Sequence, residues 1–146
     1  MAGASAGRPS SRPPSAAATV ADVMRPALTT VEAGGHLAAA AYLMRHAGET
    51  ALVVINDEQA MRPIGIITDT DIAQAVADGK DVNEARVHDL MTTDPTVIVA
   101  TTTVPEAAEA MVTGHFRHLP VVSDAGLIGI VDIGDVCRAL LDSARG

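Results

Sequence analysis

Two stretches of the chain place apolar residues at helical spacing. In each stretch, four apolar side chains follow the pattern i, i+3, i+4, i+7, which puts them on one face of a helix. They are Leu37, Ala40, Ala41 and Met44 in the first stretch and Val104, Ala107, Ala108 and Met111 in the second. The second begins with a capping box, Thr103 followed three residues later by Glu106, with Pro105 in the first turn. The pattern predicts two amphipathic helices with small apolar faces.

Short β-branched runs follow each of these helices. Two runs separated by a polar turn predict two strands after each helix. The runs cover residues 52–55, 64–67, 119–122 and 127–131. A final helix is predicted in each half, from about Asp69 to Ala77 and from about Ile133 to Ser143, and a short strand before each first helix, at 29–31 and 96–99. The predicted order is β-α-β-β-α in both halves.

The two halves are copies of one unit. An offset of 67 residues superimposes the first copy on the second as far as Val54, and three extra residues within the polar stretch 56–62 then reduce the offset to 64. Matched pairs include Val20 and Val87, Met24 and Met91, Leu52 and Leu119, Gly65 and Gly129, and Asp71 and Asp135. Neither copy alone buries its apolar faces. We therefore expect an α/β fold in which two tandem β-α-β-β-α repeats pack sheet to sheet around a pseudo-two-fold axis.

Composition separates a tail from the repeats. Residues 1–18 are almost entirely Ala, Gly, Ser, Pro and Arg. They lack the apolar side chains whose burial would offset the entropy of ordering, so a disordered tail is predicted. Repeat 1 is assigned to residues 19–80 and repeat 2 to residues 81–146, with a linker at 78–86.

Charge and cysteine content exclude several partners. The formal net charge is −8, so the folded part is not expected to bind nucleic acid. Cys137 is the only cysteine, which excludes an intrachain disulfide and suits a reducing compartment, and we expect it to be a buried thiol. No apolar run approaches the roughly 20 residues of a membrane helix, and the N-terminus lacks the apolar block of a signal peptide. No membrane partner and a cytoplasmic location are predicted.

Four motifs resemble the cystathionine-β-synthase (CBS) domain. They are Val20-Ala-Asp-Val-Met24 and Gly65-Ile-Ile-Thr-Asp-Thr-Asp71-Ile72 in the first copy, and His118-Leu-Pro-Val-Val122 and Gly129-Ile-Val-Asp-Ile-Gly-Asp135-Val136 in the second. The ordered set runs from about Val20 to Leu141. The resemblance implies that the two copies form one regulatory module, often called a Bateman module, and that modules pair into flat homodimers. It also implies clefts that bind AMP, ADP, ATP or S-adenosylmethionine.

The first copy keeps the pair of residues that contacts ligand in this family. The resemblance assigns a phosphate contact to Thr68 and the ribose hydroxyls to Asp71. The pair lies where a strand is followed by a helix, so the unpaired N–H groups and the positive dipole end of that helix would also favour phosphate. The same Thr-x-x-Asp spacing forms a helix capping box, and the two roles are compatible.

The second copy departs from this pattern. Asp132 replaces the Thr and stands near Asp135, and two carboxylates would repel a phosphate. This cleft would suit adenosine without a phosphate, or a nucleotide with a metal counter-ion, unless Arg117 or His118 supplies compensating charge. Members of the family often carry a phosphate-contacting basic residue at the position of His118, where the first copy has Ala51. The alternative for His118 is an ordinary polar residue at the start of a strand.

Two apolar slots are candidates for adenine, which needs an apolar pocket with hydrogen-bonding groups on its edge. One would be lined by Thr29, Thr30, Val31, Ile64 and Ile66, and the other by Thr96, Val97, Ile128 and Ile130. All of these residues are equally compatible with a plain hydrophobic core. The methionines that recur at matching places, Met24, Met44, Met91 and Met111, are interpreted as packing residues.

No catalytic or metal site is predicted. The aspartates lie at helix starts, which favour ionised carboxylates and disfavour general acids. The spacing His115-x-x-His118 is compatible with zinc, but a helix-to-strand junction does not make the two rings converge. We therefore expect no enzymatic activity, no metal ion and no required cofactor.

These observations predict a regulatory module that senses an adenosyl ligand. The ligand would enter the cleft between the copies, order the loops near Thr68 and Asp132, and allosterically bias a packing equilibrium that a separate effector protein reads. A homodimer formed through the apolar helices is expected. The alternative is a ligand-independent dimeric scaffold. The acidic Asp132 and the uncharged Ala51 favour a scaffold, whereas Thr68 and Asp71 favour sensing.

Overall fold

The structure, a computed structural model, describes residues 18–27, 29–56 and 61–145. The predicted tail lies outside these residues except for Ala18. Each half contains the predicted β-α-β-β-α order, which is confirmed, and each is preceded by a four-residue helix and a two-residue strand that the hydrophobic pattern did not predict.

The elements of the two halves correspond one to one. The first half contains α1 (Val20–Val23), β1 (Arg25–Pro26), β2 (Thr30–Glu32), α2 (Leu37–Ala47), β3 (Ala51–Asn56), β4 (Arg62–Thr68) and α3 (Asp69–Ala77). The second contains α4 (Val87–Leu90), β5 (Thr92–Thr93), β6 (Ile98–Val99), α5 (Val104–Gly114), β7 (His118–Ser123), β8 (Gly126–Asp132) and α6 (Ile133–Arg145). The final helices begin where the sequence predicted, and α6 extends two residues further, to Arg145.

The halves exchange their two-residue strands. One sheet has the order β2-β3-β4-β5 and the other β1-β8-β7-β6, so each sheet contains one strand from the other half. Strand β1 pairs with β8 in antiparallel fashion, with Arg25 opposite Ile130, and β5 pairs with β4 in the same way, with Thr92 opposite Ile66. The two registers are equivalent, because the repeat offset matches Arg25 with Thr92 and Ile66 with Ile130. The halves are therefore related by the approximate two-fold axis expected for a tandem repeat.

The hydrophobic core has three parts. Each half packs its helices on one face of its sheet, around Leu37, Met44 and Leu52 in the first half and around Met111 and Leu119 in the second. A third cluster lies between the two sheets and contains Ala51, Val53, Leu127 and Ile130. Met24 and Met91 are partly buried against the helix-side cores, as the packing interpretation expected. The two sheets therefore face each other, and the space at the ends of their interface is bounded by both halves.

The backbone N–H groups at the starts of α5 and α2 have specific hydrogen-bond acceptors. In α5 the Thr103 hydroxyl accepts a hydrogen bond from the Glu106 backbone N–H at 3.2 Å, and the Glu106 carboxylate accepts one from the Thr103 N–H at 2.9 Å, which confirms the predicted capping box. The Val104 N–H also donates to the Ala18 carbonyl at 2.9 Å. The equivalent N–H of α2, on Leu37, donates to the Ala85 carbonyl of the linker at 3.0 Å. Ala18 therefore belongs to the folded part, as the linker does.

Cys137 is exposed, and the expectation of a buried thiol is wrong. The reason is the position of Cys137 on the helix. The neighbouring Val136 faces the core and is 1% exposed, so the next residue on α6 points away from the core. None of the described helices is long and apolar enough to cross a membrane.

Candidate functional site

A cavity of about 860 Å³ lies between the two halves. We call it the first cleft, because it contains the helix start of the first copy. The first half contributes Thr50, Ile66 and 68–71, and the second contributes Thr92, 94–96, 114–118, Pro120 and 132–134. Since both halves form its walls, the cleft exists only when the two copies are packed together.

Thr68 and Asp71 are polar residues that line the first cleft at the start of α3. The Thr68 hydroxyl accepts a hydrogen bond from the Asp71 backbone N–H at 3.1 Å, and the Asp71 carboxylate accepts one from the Thr68 N–H at 2.9 Å. This is the capping box of α3, and both residues line the cavity. The bond to Thr68 uses only Oδ2 of Asp71, and a carboxylate can accept several donors, so capping does not prevent further hydrogen bonds. The N-terminus of α3 thus borders the cleft.

The second half contributes two basic residues to the first cleft, together with the acidic Asp94 and Asp132. Arg117 and His118 both line the first cleft. The His118 Nε2 lies 2.9 Å from the Thr50 hydroxyl, so a hydrogen bond joins the two halves at this point. Burial lowers the pKa of His118 below its ordinary value, and the nearby Asp132 and Asp69 carboxylates oppose this effect. The neutral imidazole is therefore favoured at neutral pH when the cleft is empty.

The predicted site residues fall into three groups. Seven line the first cleft, namely Ile66, Thr68, Asp71, Thr96, Arg117, His118 and Asp132. Thr29 and Ile130 line a second, smaller cavity of about 230 Å³. The remaining six line neither of these cavities, namely Thr30, Val31, Ile64, Val97, Ile128 and Asp135. Val31 is 7% exposed and belongs to the helix-side core of the first half.

A β-bulge separates Ile64 from Ile66. On a regular strand, residues two positions apart point to the same face of the sheet. Here the β3–β4 register shifts between Val54 and Ile55, so Ile64 has no cross-strand partner on β3. Ile64 packs against the helix-side core while Ile66 packs between the sheets. The β7–β8 register shifts at the equivalent place, so Ile128 faces its own helices. The isoleucine pairs predicted to line each slot are thus divided by the bulge.

The smaller cavity is the two-fold equivalent of the first cleft, and we call it the second cleft. It is lined by Pro26, Ala27, Thr29, Ala47, Glu49, Ala51, Val53 and Ile130. The repeat offset matches Glu49 with Phe116 and Ala51 with His118, and both of these partners line the first cleft. The two clefts are therefore duplicated positions that now differ in size and in chemistry.

Arg25 is a site residue that sequence reasoning missed. Its guanidinium lies 2.8 Å from Asp132, 3.0 Å from Glu49 and 3.5 Å from Asp135. Arg25 on β1 thus places a positive charge beside the two aspartates, a role for which the sequence analysis had considered only Arg117 and His118. The sequence contained one indication of this difference. The repeat offset matches Arg25 with the uncharged Thr92, so the two copies differ in charge at this position.

The described residues offer no group of three or more His, Cys, Asp or Glu side chains placed to hold a metal ion. His115 and His118 both border the first cleft without forming such a group.

Comparisons with known proteins agree with this architecture. The CBS domain sequence model matches residues 20–78 and 87–142. The mitochondrial CBS domain-containing protein CBSX3 of Arabidopsis thaliana is 37% identical over 98 residues, which cover 65% of this chain and 48% of that protein. The chain thus spans about half the length of this relative.

Solved structures give the same result. The CBS-pair protein CBSX2 of Arabidopsis thaliana is 30% identical, with a TM-score of 0.72, and the match covers 90% of this chain and 99% of that one. A structure of CBSX2 in complex with AMP is also 30% identical, with a TM-score of 0.71 over 86% of this chain and 97% of that one. Two matches to one family, one in each half of an exchanged-strand fold, show that this chain belongs to the CBS domain family and is a tandem pair of CBS domains.

Proposed function

We propose that this chain binds an adenine nucleotide or a related adenosyl compound in the first cleft and signals its presence to a separate partner protein. CBS-pair proteins are regulatory modules, and CBSX2 has been solved with AMP. The observation that carries the proposal is the position of Thr68 and Asp71. They lie at the start of α3 and line the first cleft, to which the other half contributes Arg117.

The polar groups of the first cleft suit a sugar-phosphate. The Thr68 hydroxyl and the N-terminus of α3 would favour a phosphate, and the Arg117 guanidinium would pair with it. The Asp71 carboxylate would accept hydrogen bonds from ribose hydroxyls. Ile66 and Thr96 would form the apolar wall and the polar edge of an adenine slot. The volume of about 860 Å³ falls in the usual range for small-molecule sites.

Ligand binding would be coupled to the packing of the two halves. A ligand that contacts Thr68 on one half and Arg117 on the other binds better when the halves are closed around it, so it shifts their equilibrium toward that arrangement. The effector protein would recognise this arrangement. We also propose a homodimer formed through helix surfaces, since exposed apolar side chains occur on four helices. The most exposed apolar side chain on each of these helices is Tyr42, Val76, Val112 or Leu141.

The proposal is tested by thermal unfolding with AMP, ADP, ATP and S-adenosylmethionine, followed by calorimetric titration of the compound that stabilises most. We expect at least one compound to raise the melting temperature, because a ligand that binds only the folded state stabilises it. The Asp71→Ala variant should lose most of that increase. Glu106→Ala is the matched control, because Glu106 holds the same capping position on α5 and does not line the first cleft.

Both variants lose a capping carboxylate, so both should melt earlier without ligand, and only Asp71→Ala should lose the response to ligand. An equal response in the two variants would contradict the assignment of Asp71. No response to any compound by an intact dimer would favour the ligand-independent scaffold, for which the exposed apolar helix residues are the supporting observation.

A further inference from the structure

The two clefts of this module come from a duplication, but one of them is much smaller than the other. The first cleft has a volume of about 860 Å³ and reaches both Thr68 and Asp71. The second has about 230 Å³, and its lining includes neither Asp132, which borders the first cleft, nor Asp135, although the repeat offset matches these residues to Thr68 and Asp71. The second cleft is thus separated from the two carboxylates at the start of α6.

The Arg25 side chain accounts for this separation. It extends from β1, which pairs with β8, and its guanidinium binds Asp132 at 2.8 Å and Glu49 at 3.0 Å. Its Nε faces the Asp135 carboxylate at 3.5 Å, and both of these atoms are shielded from solvent. Arg25 therefore contacts the two carboxylates that correspond to Thr68 and Asp71 and also the Glu49 side chain of its own half. It occupies the place where a sugar-phosphate would lie.

The equivalent position in the first cleft is Thr92. Thr92 is exposed, lies opposite Ile66 in the β4–β5 pair and lines the first cleft. Its short side chain leaves the α3 start accessible. The backbone geometry of the two positions is the same, since Arg25 lies opposite Ile130 in the equivalent pair. The difference in size between the two clefts is therefore a difference of side chains and not of fold.

We propose that Arg25 closes the second cleft from within, so that the module takes one adenine nucleotide per chain, in the first cleft. This inference rests on the proposed function. A nucleotide entering the second cleft would have to displace a guanidinium held by three carboxylates, and its phosphate would then face Asp132, Asp135 and Glu49 without a counter-charge. Arg25 is thus a specificity-determining residue, because it makes two duplicated sites unequal.

The test is the number of AMP molecules bound per chain, measured by calorimetric titration. The wild-type protein should bind one. The double variant Arg25→Thr with Asp132→Thr gives the start of α6 and the β1 position beside it the side chains that the first cleft has at Thr68 and Thr92, and it should bind two. Because Asp132 also lines the first cleft, the single variant Asp132→Thr is measured beside it and should still bind one. Arg138→Thr is the control. Arg138 also pairs with Asp135, at 3.5 Å, but it is 72% exposed and lines neither cleft, so this variant should still bind one.

The outcomes distinguish this inference from the proposed function. Two AMP molecules per wild-type chain would overturn the inference and leave the proposed function intact. No binding of AMP, ADP, ATP or S-adenosylmethionine by the wild type, with one AMP molecule bound by the double variant and none by Asp132→Thr alone, would overturn the proposed function and support the role of Arg25. A folded double variant that binds no more than the wild type would overturn the inference.

A measurement on the wild-type protein keeps the inference testable if the double variant does not fold. Backbone amide shifts in an NMR titration with AMP should change at Thr68, Asp71 and Thr96, in the first cleft. They should remain unchanged at Ala27 and Thr29, in the second. Shifts of similar size at Ala27 and Thr29 would overturn the inference.

Discussion

Met91 lies directly over Gly65. A Cβ atom on Gly65 would stand 2.6 Å from the Met91 sulfur and 2.9 Å from the Thr92 carbonyl oxygen. Gly129 has the same relation to Met24, whose sulfur would be 2.9 Å from a Cβ at that glycine. The close approach occurs where each exchanged strand pairs with the sheet of the other half, at its edge. The two glycines are therefore required by the strand exchange itself.

Gly65→Ala should destabilise the fold. The added methyl group has no space between the Met91 side chain and the β5 backbone, and overpacking of this kind costs about 1–3 kcal/mol of unfolding free energy. Urea unfolding measures the loss. Gly34→Ala is the matched control, since a Cβ at Gly34 would have no other atom within 4 Å, and it should change stability by less than about 0.5 kcal/mol. Equal stability of the two variants would contradict the exchange.

Thr68→Ala and Thr103→Ala should differ in ligand binding and agree in stability. Each hydroxyl accepts a capping hydrogen bond, at 3.1 Å from the Asp71 N–H and 3.2 Å from the Glu106 N–H, so each variant should lose about 1 kcal/mol. Only Thr68 lines the first cleft. Loss of the proposed phosphate contact should weaken AMP binding about tenfold, or ~1.4 kcal/mol, by titration calorimetry. Unchanged affinity in Thr68→Ala would assign Thr68 to capping alone.

His118 should make stability fall in mild acid. Because burial lowers its pKa below the ordinary value of 6.5, the unfolded chain takes up a proton at higher pH than the folded protein does. Its contribution is fully present above about pH 6.5 and is lost as the pH falls toward the folded-state pKa.

The measurement is urea unfolding of the wild type and His118→Gln from about pH 7.5 down to about pH 5.5. Gln can still bond to the Thr50 hydroxyl but does not titrate. The wild type should lose stability relative to the variant as the pH falls. A constant difference between the two proteins across this range would show that His118 is not the titrating group.

Arg25→Ala should cost more stability than Arg138→Ala. Arg25 links Asp132, Asp135 and Glu49, and its removal leaves these carboxylates to repel one another. Because Arg25 is 39% exposed, we expect a loss of about 1–2 kcal/mol, below that of a fully buried pair. Arg138, which is 72% exposed, should contribute less than about 0.5 kcal/mol.

Urea unfolding at low and high salt checks this difference. Salt screens the repulsion that remains in Arg25→Ala, so the deficit of this variant should shrink at high salt. A deficit that does not respond to salt would indicate lost packing in place of lost charge.

Local patterns predicted most of the elements. The spacing of Leu37 and Met44 determines a helix face, the Thr103 and Glu106 pair marks a helix start, and α3 has the bounds that the pattern predicted. These features depend on residues within a few positions of one another. The two-residue strands β1 and β5 were missed because two residues carry no detectable period.

The sequence by itself determined that the chain is a duplicated β-α-β-β-α unit with a Thr-x-x-Asp pair in one copy, since repeats and short-range spacing are visible without coordinates. Only the tertiary structure decided the strand exchange, the β-bulge that turns Ile64 toward the helices, and the contact between Arg25 and Asp132. The physical reason is distance along the chain. Arg25 and Asp132 are 107 residues apart, and only the packing of one half against the other brings that guanidinium to that carboxylate.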